Sequence, residues 1–144
     1  MTDHVDPAGN LVPPFTIVDL NFVSLYFEEF QEANAFYENV FGPPENADVE
    51  GSIYGWRMGA TWLTLFPSKA GTKQGSNPQN TEFAIQVSAP EEVDALFQAL
   101  IAAGGKKGWE PEDTSMYDEM RFAYIDDPFG VRIDIYCLLP NSKE

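Results

Sequence analysis

The sequence is poor in the residues that build most metal sites and nucleophilic sites. Its 144 residues include one cysteine, Cys137, and one histidine, His4. A single cysteine cannot form an internal disulfide, which fits a reducing compartment, and Cys137 is expected to be a buried, inert thiol. His4 lies in a polar N-terminal segment and is expected to be a solvated tail residue. Catalytic sites that pair a histidine with serine or cysteine are therefore not expected.

Basic residues are also scarce. Eight lysines and arginines stand against 23 aspartates and glutamates, which gives a net charge of −15. A field of that sign repels phosphate groups, so nucleic acid and anionic membranes are not expected as partners. A cationic or neutral small molecule is the partner that this charge favours.

Long apolar segments are absent as well. No apolar run approaches the ~18 residues that a membrane-spanning helix needs. The N-terminal stretch lacks the basic start and apolar segment of a signal peptide, so the expected location is cytoplasmic. Hydrophobic residues nevertheless make up 44% of the chain, which predicts one domain with a hydrophobic core.

A strand followed by an amphipathic helix is predicted twice, with equivalent positions 60 residues apart, as for Val23 and Phe83. The first copy has its apolar positions at Val23, Leu25, Phe27, Ala33, Phe36, Tyr37, Val40 and Phe41. The second copy has them at Phe83, Ile85, Val87, Val93, Leu96, Phe97, Leu100 and Ile101. We interpret this pattern as a duplicated β–α unit.

Each copy is followed by strand-like segments that a turn connects. These segments are Ser52–Arg57, Thr61–Phe66, Met120–Ile125 and Val131–Tyr136, with weaker extended stretches at Ala47–Glu50 and Lys106–Glu110. Each half of the chain is therefore predicted to be a β-α-β-β-β module.

The predicted boundaries follow from this repeat. Residues 1–15 are expected to be a flexible leader, residues 16–140 one domain, and residues 141–144 a tail. Within the domain, module one covers about 17–67 and module two about 81–138. The Gly-, Ser- and Asn-rich segment 68–80 is the predicted linker between them.

Two short motifs carry a resemblance to a known family. Ala35-Phe36-Tyr37 is followed by Val40-Phe41-Gly42, and the turn Asp127-Pro128-Phe129-Gly130 leads into the strand Val131–Ile135. Together with the repeat, they make residues 17–138 similar to the vicinal oxygen chelate superfamily, which includes glyoxalases, bleomycin-resistance proteins and extradiol dioxygenases. The resemblance implies an α+β fold in which two βαβββ modules form an open, cup-shaped mixed sheet with helices outside. It also implies ligands inside the cup and a homodimer.

The resemblance places the family's metal ligands at Phe22, Thr64, Glu82 and Asp134. Phenylalanine cannot donate a lone pair and a neutral hydroxyl is a poor ligand, so the donors reduce to Glu82 and Asp134. Two carboxylates without imidazole are too few for a tight zinc or iron site, although they could hold Mg²⁺ with substrate oxygens. No metal cofactor is therefore expected. Asp134 is expected to pair with Arg132 or an arginine of an adjacent strand, or to meet a cationic ligand.

The predicted ligand face of the cup is aromatic with a few polar groups. Its candidate binding residues are Phe22, Ser24, Tyr26, Trp62, Thr64, Gln86, Arg132 and Tyr136, with Phe66 beside them. The alternative is that these aromatic residues pack between the modules or against a second subunit. The facing of Tyr54, Trp56 and Trp109 is left open.

Three functions remain compatible with the sequence. The first is metal-independent binding of an aromatic or cationic small molecule in a cup at a dimer, in the manner that the resemblance to bleomycin-resistance proteins implies. The second is an enzyme, a lyase, isomerase or dioxygenase, with Glu82 and Asp134 as candidate catalytic residues. The third is an interaction or sensor module whose cup is filled.

Overall fold

A short hairpin precedes the two modules. The computed structural model describes residues 4–12, 14–48, 50–116 and 118–144. Strands β1 (His4–Val5) and β2 (Leu11–Val12) pair antiparallel, and the Asp6 carboxylate accepts hydrogen bonds from the Ala8 and Asn10 amides at 2.9 and 2.8 Å. The predicted leader thus contains local structure, and its flexibility remains a prediction. The side chain of His4, whose solvation was predicted, lies outside the described residues.

Module one has the predicted order of elements. It contains β3 (Phe22–Phe27), helix α1 (Phe30–Phe41), β4 (Asn46–Ala47), β5 (Tyr54–Met58) and β6 (Thr61–Pro67). The strands lie in the order β3-β6-β5-β4, with β3 and β6 parallel and the other pairs antiparallel. Helix α1 ends where Gly42 adopts a φ of 84°, a conformation that glycine reaches without a steric penalty.

Module two repeats this order. It contains β7 (Glu82–Gln86), helix α2 (Pro90–Ala102), β8 (Lys106–Ser115), β9 (Glu119–Asp126) and β10 (Arg132–Leu138). The strands lie in the order β7-β10-β9-β8, again with one parallel pair, β7 and β10. Proline at the start of α2 and two acids in its first turn suit a helix N-terminus.

The two weak strand predictions differ from the structure in length. Strand β8 runs to Ser115 and its pairing with β9 is irregular around Trp109, which lets an edge strand continue while it twists. Strand β4 is only Asn46–Ala47, and residue 49 of the predicted stretch lies outside the described residues. The described chain is thus an α+β fold with two four-stranded mixed sheets that do not close into barrels, which confirms the predicted fold class.

The core lies on the helix side of both sheets. Alternation in β3 and β10 directs Leu25, Phe27, Ile133 and Ile135 to this side, where all four are buried. The helices bury the predicted stripes against them, at Ala33, Phe36 and Tyr37 in α1 and at Val93, Phe97 and Leu100 in α2. In the described residues, no helix is long and apolar enough to cross a membrane.

A buried hydrogen bond joins the two modules. The Tyr37 hydroxyl of α1 donates to Asp127 Oδ2 at 2.8 Å, across 90 residues of sequence. Asp127 Oδ1 accepts from the amides of Phe129 and Val131, each at 2.8 Å, so the same carboxylate shapes the β9–β10 turn. Burial raises the pKa of Asp127 to about 6, although its hydrogen bonds act in the opposite direction. We call this contact the inter-module hydrogen bond.

Candidate functional site

The open face of module two is built from alternate residues of three adjacent strands. Strand β10 lies between β7 and β9, so Asp134 has Ala84 on one side and Tyr124 on the other. Since Ile133 and Ile135 point to the core, Arg132, Asp134 and Tyr136 are directed to the opposite, open face. Asp134 therefore lies near the centre of this face.

A cavity of about 410 Å³ occupies this face, and we call it the module-two cavity. Its lining residues are Glu82, Ala84, Trp109, Met116, Met120, Phe122, Tyr124, Arg132, Asp134 and Tyr136. The rings of Trp109, Phe122 and Tyr124 contact one another edge to face, with centroids 5.8 to 6.4 Å apart. Such a cluster offers both ring faces and ring edges to a ligand.

Asp134 has an unusual environment in this cavity. Its Oδ1 atom is buried and accepts no hydrogen bond from any described residue. Burial raises the pKa of Asp134 to about 7, followed by the hydrogen bond that a protonated Asp134 shares with the Glu82 carboxyl group and by the charge of Glu82, and Arg132 offsets this only in part. Near neutral pH the Asp134 carboxyl group therefore gains or loses a proton easily.

The prediction that Arg132 forms an ion pair with Asp134 is wrong. Arg132 Nε instead contacts Asp126 Oδ1 at 3.0 Å, because Asp126 is its direct partner across the β9–β10 pair. The Arg132 guanidinium also lies over the Tyr124 ring, 4.1 Å from its centroid. Arg121 is on the helix side and pairs with Asp94 and Asp113 at 2.7 and 3.0 Å. The other expectation, that Asp134 meets a cationic ligand, stays a prediction.

The open face of module one has a different character. The hydroxyls of Ser24 and Thr64 hydrogen-bond to each other at 2.8 Å, and the rings of Tyr26 and Phe66 stack with centroids 5.4 Å apart. Phe22 is 62% exposed and Tyr26 is 52% exposed. We call the side chains of Phe22, Ser24, Tyr26, Trp62, Thr64 and Phe66 the module-one face.

The structure brings together only some of the predicted site residues. Glu82, Arg132, Asp134 and Tyr136 line the module-two cavity, where the Tyr136 hydroxyl donates to Gln86 Oε1 at 3.3 Å. Trp62 instead lines a cleft of about 880 Å³ between the modules, together with Glu82 and Gln86. The remaining candidates line neither space and lie on the module-one face; they are Phe22, Ser24, Tyr26 and Thr64.

Six lining residues of the module-two cavity were not among the predicted site residues. They are Ala84, Trp109, Met116, Met120, Phe122 and Tyr124. The alternation in Met120–Ile125 could have shown three of these lining residues, because Ala123 and Ile125 are small or apolar core residues and their neighbours must face the other way.

Two aromatic residues whose orientation the sequence left open lie away from this cavity. Tyr54 stacks on Phe30, and Trp56 is buried and donates to the Gly42 carbonyl at 2.8 Å.

The donors present do not fit a transition metal. Of the four positions that the resemblance gives as ligands, Phe22 lacks a donor atom and the Thr64 hydroxyl is already bonded to Ser24 and the Val23 carbonyl. Among the described residues, no three histidine, cysteine, aspartate or glutamate side chains come close enough to hold one ion. Glu82 and Asp134 remain, which is fewer than zinc or iron requires.

The fold and this face define a two-module α+β protein whose two open, four-stranded mixed sheets fit the predicted cup. The sequence profile of the Glyoxalase/Bleomycin resistance protein/Dioxygenase superfamily matches residues 19–135. The chain belongs to this superfamily. No curated protein sequence matches it significantly.

Solved structures share the fold at low sequence identity. A glyoxalase-related enzyme from Fulvimarina pelagi aligns with a TM-score of 0.67 and 20% identity, over 88% of this chain and 96% of that one. A fosfomycin resistance protein from Listeria monocytogenes aligns with a TM-score of 0.65 and 20% identity, over 87% and 94%. A lactoylglutathione lyase from Agrobacterium tumefaciens gives 0.63 and 20%, over 85% and 95%. At this identity the similarity shows the fold.

Proposed function

We propose that the protein binds a small molecule with an aromatic ring and a positive charge in the module-two cavity, without a metal. One observation carries the proposal: the buried Oδ1 of Asp134 has no hydrogen-bond partner among the described residues, in a cavity otherwise lined by aromatic rings. A buried carboxylate oxygen without a partner is unfavourable, and a cationic group nearby would offset that.

The aromatic side chains supply the second part of the proposed interaction. Trp109, Phe122 and Tyr124 surround the space beside Asp134 and Glu82. Ring faces attract cations, and sites that combine several aromatic side chains with a carboxylate are typical of ammonium recognition. The strongly negative chain would also attract a cation before contact.

Proton release is expected to accompany binding of a cation. A positive charge beside Asp134 favours its ionised form and lowers its pKa from about 7. The complex therefore holds fewer protons than the free protein near pH 7. Affinity for a cationic ligand should rise as the pH rises through 7, and affinity for a neutral ring of the same size should not change.

A homodimer is the second part of the proposal. The module-one face exposes the aromatic side chains of Phe22 and Tyr26, and exposed apolar groups that lie together on one face are a feature of interaction sites. A second copy of the chain would cover the face in a two-fold dimer, where each subunit contributes the same surface. The lone cysteine supports a cytoplasmic location for this assembly.

An enzyme remains the second candidate, and one observation favours it. A carboxyl group with a pKa of about 7, like Asp134, can both donate and accept a proton near neutral pH. With Glu82 beside it, Asp134 could act as a general acid or base in a lyase or isomerase reaction. Chemical change of a bound ligand, lost in Asp134→Asn, would decide for this candidate.

The binding proposal is tested with two probes of similar ring size, benzyltrimethylammonium and benzyl alcohol. Isothermal titration calorimetry at pH 5.5 and pH 8 should show that only the cation binds several-fold more tightly at the higher pH. Asp134→Asn should remove this difference. Asp19→Asn removes the same charge from an exposed position and serves as the control. Equal affinity of the two probes for the wild type at pH 8 would contradict the proposal.

A further inference from the structure

A third cavity, of about 600 Å³, adjoins the module-two cavity. The two cavities share Glu82 and Arg132, which lie on the boundary between them. One wall of the third cavity belongs to the end of the linker between the modules, and the opposite wall to the ends of β9 and β10. We call it the linker cavity, and its other polar side chains are Asn77, Gln79, Asn80, Thr81 and Asp126.

Backbone hydrogen bonds and a close contact at a glycine hold the linker wall against module two. The Gly75 amide donates to the Pro128 carbonyl at 3.1 Å, and the Arg132 amide donates to the Thr81 carbonyl at 3.0 Å. Between these bonds the linker packs directly on Gly130, where a Cβ atom would lie 2.3 Å from the Ser76 carbonyl oxygen. Only glycine permits this approach, so the backbone of the linker is held close to the β9–β10 turn.

The backbone at Gln79 is strained. Gln79 has a φ of 59° and is the one residue other than glycine with a positive φ in the described parts of the chain. Glycine would adopt this conformation without strain, whereas a glutamine side chain makes it less favourable. Strained residues of this kind cluster at ligand sites, and the Gln79 side chain lines the linker cavity.

The chemistry of the lining selects one class of ligand group. Amide side chains both donate and accept hydrogen bonds, Asp126 accepts them and Arg132 donates them. Glu82 and Asp126 together outweigh the charge of Arg132, which disfavours phosphate or carboxylate. None of the lining residues has a purely apolar side chain. Adjacent hydroxyl groups, each a donor and an acceptor, match this mixture.

We propose that the linker cavity binds a neutral polyhydroxylated group, of the kind that a sugar presents, on a ligand whose ring occupies the module-two cavity. This inference rests on the proposed function, because it places the ring in that cavity. The Arg132 guanidinium, which lies over Tyr124 and hydrogen-bonds to Asp126, forms the boundary between ring and hydroxyl groups. The linker between the modules is thus part of the binding site.

The test compares phenyl β-D-glucopyranoside, phenyl β-D-galactopyranoside and phenyl β-D-xylopyranoside with anisole, which has the same ring and ether oxygen. In NMR titrations, the Trp109 indole N–H reports on the module-two cavity and the Gln79 side-chain amide on the linker cavity. We expect at least one glycoside to bind about tenfold more tightly than anisole, which corresponds to one or two net hydrogen bonds. That glycoside should shift both signals, and anisole only the Trp109 signal.

Substitutions then test whether the linker cavity causes this difference in affinity between glycoside and anisole. Gln79→Gly removes the side chain and relieves the strained backbone, and Asn80→Ala removes a second amide; the double variant should bind glycoside and anisole equally. Gln98→Ala, on the exposed side of α2, is the control and should keep the difference. Glycosides that bind no more tightly than anisole, or that shift neither signal, would overturn this inference. A glycoside that shifts Gln79 but not Trp109 would support the linker cavity and contradict the proposed ring site.

Discussion

The two open faces of the molecule occupy equivalent places in equivalent modules, yet they differ at their centres. In module one, Ser24 lies opposite Thr64 and the two hydroxyls hydrogen-bond to each other. In module two, the equivalent pair is Ala84 opposite Asp134, and the alanine side chain cannot hydrogen-bond to the carboxyl group. The first centre is satisfied by its own hydroxyl pair, whereas Asp134 Oδ1 accepts no hydrogen bond from the described residues. The βαβββ module therefore sets the position of the centre, while two side chains set its polarity.

The edges of the two faces also differ, because the edge of module one is aromatic and the edge of module two is charged. Phe22 lies opposite Trp62 in module one, whereas Glu82 lies opposite Arg132 in module two. The module-one face consists of rings around a closed hydroxyl pair, which suits contact with another protein surface. The module-two face combines rings with separated charges, which suits a small polar ligand. We expect the modules to divide assembly and binding between them.

The largest predicted effect concerns the turns that close the two modules. Asp127→Ala should lower the free energy of unfolding by about 2–4 kcal/mol, because it leaves the Tyr37 hydroxyl and two buried amides without their acceptor. The corresponding turn of module one, at Gly59 and Ala60, has no such carboxylate, and Ala60→Ser there should change stability by less than about 0.5 kcal/mol. Urea denaturation measures the free energy of unfolding of both variants. Similar losses in the two variants would contradict this difference between the turns.

The next prediction separates binding from assembly. Phe122→Ala should weaken benzyltrimethylammonium binding by about 1–3 kcal/mol and leave the oligomeric state unchanged, because this ring lies in the module-two cavity. Tyr26→Ala should leave binding intact and shift the monomer–dimer equilibrium toward the monomer, because this ring is exposed on the module-one face. Calorimetry and sedimentation equilibrium give the two readouts. A wild-type protein that stays monomeric over micromolar concentrations would refute the prediction that the module-one face forms a dimer.

The smallest effect is the pH dependence of stability at Asp134. Its pKa of about 7 in the folded protein lies above the ordinary value of 3.8, so the folded state holds the extra proton between these pH values. The stabilisation is complete below about pH 4 and is lost as the pH rises through 7.

Asp134→Asn should therefore gain stability over the wild type as the pH rises from 4 to 8. The gain should be on the order of 1 kcal/mol, well below a direct conversion of the pKa change, because solvent screens this half-exposed group. Thermal unfolding at several pH values measures it. Thr64→Val, at the equivalent place in module one, serves as the pH-independent control. A constant difference between Asp134→Asn and the wild type across this range would contradict the pKa assignment.

The sequence predicted the fold because the fold depends on periodicity. Alternation in β3 and β7 and the helical stripes of α1 and α2 are confirmed position by position, since burying one face of each element leaves few alternatives. The hairpin in the leader was not predicted, because it depends on one local set of hydrogen bonds from Asp6. Strand β8 was predicted too short because edge strands carry little burial pattern.

The candidate site was harder to predict, because a site depends on which neighbours compete for each side chain. The sequence identified Glu82 and Asp134 but paired Asp134 with Arg132, which the β9–β10 register gives to Asp126. It grouped Trp62 and Tyr26 with Asp134 on one face, although alternation alone cannot say whether two sheets share a cavity. The positive φ of Gln79 was not predicted, because the sequence alone does not show how the linker packs against module two.

The inter-module hydrogen bond has a consequence for the order of folding. The parallel strand pairs within the modules join residues 40 and 50 apart in sequence, whereas Tyr37 and Asp127 are 90 residues apart. Closing so long a loop is entropically unfavourable until other contacts have brought its ends together. We therefore expect the hydrogen bond to form after the folding transition state, with a φ-value near zero for Tyr37→Phe. Its loss would then accelerate unfolding and leave the folding rate unchanged.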